Sequence, residues 1–272
     1  MDISASILAL EKRVPHAEKE YIGEDGLLHC GVCHSKVQTR INLLGQERIV
    51  RCICDCKIKE REAFEERQRQ EARDRRRKIC FAETNMASWT FENDSRENEK
   101  LSDAMINYAE QFGDFLKDGQ GLLLSGTIGT GKTYFAACIA NRLLDKGYRV
   151  LMTNFARLTN QIQGMFDGKQ EFIDDLNNYA LIIFDDLGFE RKSEYMQEMV
   201  FNIIDSRYKS GLPFIITTNL TLEEIKKPPD LTCSRIYDRI LERCFPIEVT
   251  GSSKRRQAVR ETYFDTKKKL GL

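Results

Sequence analysis

Net charge is the first thing the chain lacks: its 42 Lys+Arg offset 42 Asp+Glu over 272 residues. Without a global basic field, any contact with nucleic acid has to come from a local patch, so the placement of charge matters more than its total. Long apolar runs are missing as well. No window approaches the roughly 18 apolar residues of a membrane span, and the opening MDISASILALEKRV has neither the basic start nor the long apolar core of an export signal. A soluble, cytoplasmic protein without a membrane partner is expected. Internal repeats and low-complexity tracts are absent too, which excludes solenoid and fibrous designs.

What is there divides the chain into three. Apolar residues make up 41% and charged residues 31%, enough for one real core plus a heavily charged segment. Residues 1–56 end in the cysteine-bearing stretch LLHCGVCHSKVQTRINLLGQERIVRCICDC, whose two runs, joined by the turn signal LLGQE, predict a small hairpin with cysteines at both ends. Residues 57–80 are almost unbroken charge and form a helical linker, solvated along its length, whose RDRRRK end could also meet phosphate or an acidic protein surface. From 81 to 272 the composition normalises. Strand patterns GLLLSG, YRVLMTN, ALIIFDD, PFIITTN and FPIEV alternate there with helical ones, which predicts an α/β fold with a parallel sheet flanked by helices. Trp89, the only tryptophan, precedes the first of these strands and is expected to dock the linker onto the core.

The strongest chemical signal is GTIGTGKT, set between the apolar GLLLS and a helical pattern. In this GxxxxGK[ST] loop Gly126, Gly129 and Gly131 allow the main chain to wrap a phosphate, with Thr127, Ile128 and Thr130 supplying further N–H groups and the helix dipole behind them. Lys132 neutralises the outer phosphates, Thr133 offers a hydroxyl to Mg²⁺, and Tyr134 opens the helix. About fifty residues on, ALIIFDDLG runs the four apolar residues LIIF, after Ala180, into Asp185, a buried strand with a carboxylate at its C-terminal end, where parallel sheets place ligands. Asp185 is expected in the magnesium shell, and Asp186 as the group that orients or deprotonates the attacking water. The next strand ends in Asn219, a candidate sensor of the γ-phosphate. No NKxD guanine-selecting motif accompanies the loop, nor the Arg-rich lid of a nucleotide kinase.

In order along the chain, GTIGTGKT, LIIFDDLG, IITTNL and SRIYDRI resemble the Walker A, Walker B, sensor 1 and arginine-finger elements of AAA+ ATPases. With a Cys-rich segment in front of a small core, the chain is similar to the DnaC/DnaI-type loaders of the replicative DNA helicase, prophage versions included, and shares its core with IstB-type transposition ATPases. The resemblance implies an AAA+ P-loop NTPase core that binds ATP and Mg²⁺, slow hydrolysis, a homo-oligomer joined through its ATP sites, and two partners, the helicase and single-stranded DNA. It also implies that Arg239, with Arg235 in reserve, acts on the neighbouring subunit's nucleotide; ion pairs with Asp238 or Glu242 are the alternative use of these side chains. Asp186 departs from the usual glutamate, which bears on rate rather than binding. Lys254, Arg255 and Arg256 in GSSKRRQ resemble the family's closing segment. A transposition ATPase acting on target DNA, and a zinc adaptor using ATP only as a switch, remain the competing functions.

Nine cysteines in a chain without an export signal point to metal rather than to disulfides. Cys30 and Cys33 have knuckle spacing, and Cys52, Cys54 and Cys56 follow about twenty residues later. Zn²⁺ takes four soft ligands in a tetrahedron, so four of these five are expected to hold zinc, with His29 or His34 able to replace one; an iron–sulfur cluster is the rival. Cys80, Cys138, Cys233 and Cys244 are expected as small buried packing residues.

Overall fold

The computed structural model describes residues 20–82, 85–188, 194–251, 263 and 266–270; Lys254, Arg255 and Arg256 lie outside them. Two compact units result, Met1–Ala72 and Arg73–Leu272. Among the described residues no helix is long and apolar enough to cross a membrane.

The first unit is built from two short antiparallel pairs. β1 (Glu20–Ile22) lies against β2 (Leu28–Cys30), and β3 (Gln38–Leu43) against β4 (Gln46–Arg51). The predicted turn is a two-residue one: Leu44 and Gly45 both have positive φ, 52° and 80°, the geometry that matches strand twist in a tight hairpin. So few strands are marginal on their own. What holds them is a minute core of Leu27, Cys30, Val37 and Cys54, and Arg51 Nη2 donating to both carboxylate oxygens of Glu20 at 2.5 and 2.7 Å. The charged stretch is helical as expected, but α1 (Asp55–Phe81) starts early enough to take Cys56 into its first turn. It is exposed along most of its length until Cys80 and Phe81, which are buried.

In the second unit every predicted strand appears: β5 (Gly121–Ser125), β6 (Val150–Thr153), β7 (Leu181–Leu187), β8 (Phe214–Thr218) and β9 (Cys244–Glu248). They form one parallel sheet in the order β6-β7-β8-β5-β9. Continuous apolar runs are what a sheet covered on both faces requires, and the period of two then divides them. Leu122, Leu124, Leu181, Ile183 and Ile215 join one core; Leu123, Ile182, Phe184, Phe214 and Ile216 join the other. The first core is covered by α2 (Glu99–Glu110), α3 (Phe112–Asp118) and α4 (Lys132–Asp145). The second is covered by α5 (Phe155–Gln163), α6 (Lys169–Asp175), α7 (Glu194–Lys209) and α9 (Leu231–Arg243), with the short α8 (Leu222–Lys226) between β8 and α9.

Trp89 does pack against the first core, its ring 5.9 Å from that of Tyr134. The hidden fastener is Asn141 on α4, only 1% exposed. Its Nδ2 donates to the carbonyls of Met86 and Trp89 at 2.9 Å each, and its Oδ1 accepts from Arg77 Nε at 3.1 Å. One amide therefore ties the end of α1 and the segment from Met86 to Trp89 to the helix behind the phosphate loop.

Candidate nucleotide site and cysteine cluster

Strand order decides where the chemistry meets. Because β8 lies between β5 and β7, the C-terminal ends of three parallel strands bring the GTIGTGKT loop, the Asp pair and Asn219 together, where open α/β sheets bind ligands. Gly126 has φ +144°, and a Cβ on it would sit 2.4 Å from the Val249 carbonyl oxygen, so no other residue fits where the loop leaves β5. Lys132 is nearly buried, and its Nζ donates to the carbonyls of Gly126 and Thr127 and to Asn219 Oδ1, each at 2.8 Å. Thr130 Oγ1 closes the loop by donating to Thr127 O at 2.9 Å, and Ile128 is exposed at its tip. Tyr134 faces the segment that follows α1 instead: its hydroxyl donates to Thr90 O at 2.7 Å. Beside the loop a cavity of about 490 Å³ is lined by Asp94, Leu101, Ser102, Thr130 and Phe135, among others.

Thr133 Oγ1 donates to Asp185 Oδ1 at 2.9 Å, setting a hydroxyl and a carboxylate side by side as hard oxygen donors suited to Mg²⁺. Burial pushes the Asp185 carboxyl above its ordinary range, against the pull of the Thr217 and Thr133 hydroxyls. Asp186 adopts φ +62° at an irregularity in the β7–β8 pairing between Phe184 and Leu187. Its Oδ1 accepts from Asn219 Nδ2 at 3.4 Å. Thr217, which the sequence does not single out, donates to Asp185 Oδ1 at 2.6 Å and accepts the Asp186 N–H at 2.9 Å. The only sequence signal for it was a hydroxyl where a buried strand otherwise prefers an aliphatic side chain.

In the first unit the sulfurs of Cys30, Cys33, Cys54 and Cys56 all lie within 4.8 Å of one another. A tetrahedron of Zn–S bonds has sulfur–sulfur edges of about 3.8 Å, so the four fit one ion with little movement. The thiols of Cys54, Cys33 and Cys30 push Cys56 up to about 12, while the Ser35 hydroxyl and nearby main-chain amides draw Cys33 down to about 6. Four sulfurs so close cannot all carry charge unaided, and a divalent cation removes that conflict. Cys52 is the one left out, its Sγ directed to Lys36 O at 3.4 Å. His29 and His34 are engaged elsewhere: His29 with Asp25 and the His34 carbonyl, His34 with the Tyr21 hydroxyl. Of the remaining cysteines, Cys80, Cys138 and Cys244 are buried as expected, whereas Cys233 is only partly so.

Residues 52–262 match the family model described as IstB-like ATP binding protein. The chain belongs to that family. Over 155 residues it is 30% identical to the replicative helicase loader DnaC of Escherichia coli (strain K12), covering 56% of this chain and 62% of that protein. Over 160 residues it is 25% identical to the replicative helicase loader DnaI of Bacillus subtilis (strain 168), covering 52% and 51%. A crystal structure of DnaI superposes with a TM-score of 0.55 at 25% identity, covering 66% of this chain and 99% of that one. The chain thus spans between half and two thirds of the length of these two curated relatives.

Set in this IstB-like core, the two arginines stand apart from the phosphate loop's hydrogen bonds. Arg239 Nε donates to Asp205 Oδ1 at 2.7 Å, and its guanidinium lies 4.7 Å from the Phe201 ring centroid. Neither Asp238 nor Glu242 is its partner; Glu242 accepts the Tyr208 hydroxyl instead. Arg235 is exposed, and its side chain has no hydrogen bond or ion pair among the described residues. Arg239→Ala is expected to lose about 1–2 kcal/mol from this part-buried pair and ring contact, lowering the unfolding midpoint by roughly 2–4 °C. Arg235→Ala is expected to shift it by less than about 1 °C, which differential scanning fluorimetry resolves.

Proposed function

We propose that this IstB-like protein is an ATP-dependent loader of the replicative DNA helicase. The observation that carries the proposal is the convergence of Lys132, Thr133, Asp185, Asp186 and Asn219 at adjacent strand ends, on a core whose relatives include proteins named as helicase loaders. Residues 126–134 seat the phosphates, and the nucleoside takes the cavity beside Thr130 and Phe135. Mg²⁺, when bound by Thr133 and Asp185, neutralises charge on the phosphate oxygens. Asp186, held near Asn219, orients the attacking water. Its side chain is one methylene shorter than the usual glutamate, so hydrolysis is slow and rises with oligomerisation, DNA or partner.

Arg235, being exposed, is better placed than the Asp205-bound Arg239 to reach a neighbouring chain's nucleotide. In this reading the chain works as a zinc-binding partner domain (1–56), a helical linker (57–80) and an ATPase domain (81–272). Exposed Ile41, Leu43, Leu44 and Ile49 on the β3–β4 hairpin give the first of these an apolar surface for the helicase. Single-stranded DNA is the second partner. No nucleophile–base pair or second substrate pocket argues for small-molecule chemistry among the residues singled out.

Size-resolved co-elution with the replicative helicase of the same source organism tests this. An ATP-sensitive complex, lost on truncation through Cys56, is the expected result. No complex in any nucleotide state would overturn the loader proposal. Strong duplex DNA binding without helicase would support the transposition ATPase that the family match also admits. Nucleotide binding with undetectable hydrolysis in the presence of DNA and helicase would point to a zinc adaptor.

A further inference from the structure

Thr217 is the fourth residue of β8, wholly buried. Alternation along the strand puts Thr217 and Asn219 on one face and Thr218 on the other: Asn219 meets Lys132, whereas Thr218 Oγ1 donates to Leu187 O. A break in strand pairing leaves main-chain groups without ladder partners, and the one beside Thr217 is the N–H of Asp186. That N–H belongs to a non-glycine residue in the left-handed region, a conformation that persists only where its surroundings impose it. The Thr217 oxygen accepts it at 2.9 Å, and the Thr217 hydroxyl proton goes to Asp185 Oδ1 at 2.6 Å. One hydroxyl thus fixes the rotation of the first carboxylate and the backbone of the second. Thr133 adds a second hydroxyl to the same Asp185 oxygen, so the carboxylate is held from the phosphate-loop side and from the β8 side at once.

We infer that Thr217 is a positioning residue of the nucleotide site, setting the Asp185 carboxylate for the cation and the Asp186 backbone for the attacking water. The inference deepens the proposed ATPase reading and rests on it. Thr217 acts through the two aspartates and not on the nucleotide. The side chain that a buried strand ordinarily favours there, valine, has nearly the same shape but neither donor nor acceptor. With valine the Asp186 N–H loses its acceptor and Asp185 loses one of its two hydroxyl partners.

The test compares full-length Thr217→Val and Thr217→Ser with the wild type, reading affinity for a fluorescent ATP analogue with and without Mg²⁺, turnover, and unfolding temperature. Thr217→Val is expected to keep Mg²⁺-free affinity within about threefold, while the gain in affinity on adding Mg²⁺ and the value of kcat both fall roughly tenfold or more, the size of a lost hydrogen bond to a charged group. Thr217→Ser, which keeps the hydroxyl, is expected to restore both to within about threefold of wild type. Should valine destroy folding, Thr217→Ala removes the hydroxyl without the bulk and takes its place. Equal losses in serine and valine, or a loss confined to Mg²⁺-free affinity, would overturn the inference. If the wild type binds nucleotide but never turns it over, the ATPase reading fails, and the Mg²⁺-dependent affinity still decides for or against Thr217.

Discussion

Lys132→Ala is expected to lower affinity for ATP by at least about 100-fold while leaving the fold intact. The ammonium is nearly buried, and within the loop it donates to the carbonyls of Gly126 and Thr127 and to Asn219 Oδ1, at 2.8 Å in each case. Exchanging these neutral acceptors for phosphate oxygens gives charge-assisted hydrogen bonds, roughly twice as strong as neutral ones. Losing about 1.5–3 kcal/mol per such bond over two bonds corresponds to a factor of ~100 or more. The alanine variant keeps the glycine-defined path of the loop, so its unfolding midpoint is expected within a few degrees of wild type. Titration of a fluorescent ATP analogue followed by thermal unfolding checks both halves. Wild-type affinity in the alanine variant would place the phosphate seat elsewhere. Asn219→Ala makes a useful contrast: it frees Lys132 from one acceptor and takes a donor from Asp186, so turnover is expected to fall further than affinity.

The second large effect lies in the cysteine cluster. Purified protein is expected to carry one equivalent of zinc, retained by Cys52→Ser and lost by Cys54→Ser or Cys56→Ser. Among the described residues only Cys30, Cys33, Cys54 and Cys56 converge, and the unit's own core is a handful of residues. In so small a unit metal binding supplies most of the folding free energy, on the order of 10 kcal/mol. Chelation is therefore expected to expose the β1–β4 region to protease while the phosphate-loop unit stays resistant. Affinity falls as pH drops, since the thiols have to give up their protons to bind. Zinc quantified by native mass spectrometry, with limited proteolysis alongside, reads all of this. Full occupancy in Cys54→Ser would remove the assignment.

The sequence by itself determined the strands of the sheet, the charged helix, the hairpin turn and the phosphate loop, because each is written in contiguous residues. Apolar runs ending in polar ones define buried strands with chemistry at their C-terminal ends, and glycines at fixed spacing define the loop. It also placed Asp185, Asp186 and Asn219 at the strand ends beside the GTIGTGKT loop, since strand ends are local features. Five cysteines were legible as candidate metal ligands, but not which four converge.

Only the tertiary structure decided the rest, and always for the same reason: the choice depends on which side chains distant segments bring into reach. Cys52 is excluded because its sulfur is directed to the Lys36 carbonyl, while those of Cys54 and Cys56 lie with Cys30 and Cys33. Arg239 is taken by Asp205, 34 positions away on another helix, so that of the two arginines the exposed one is Arg235. In the sequence Thr217 and Asn141 are ordinary polar residues beside apolar stretches. Burial gives them their importance, since a hydrogen-bonding group deprived of water has to find partners, and here those partners are the two aspartates for Thr217, and Arg77 with the Met86 and Trp89 carbonyls for Asn141.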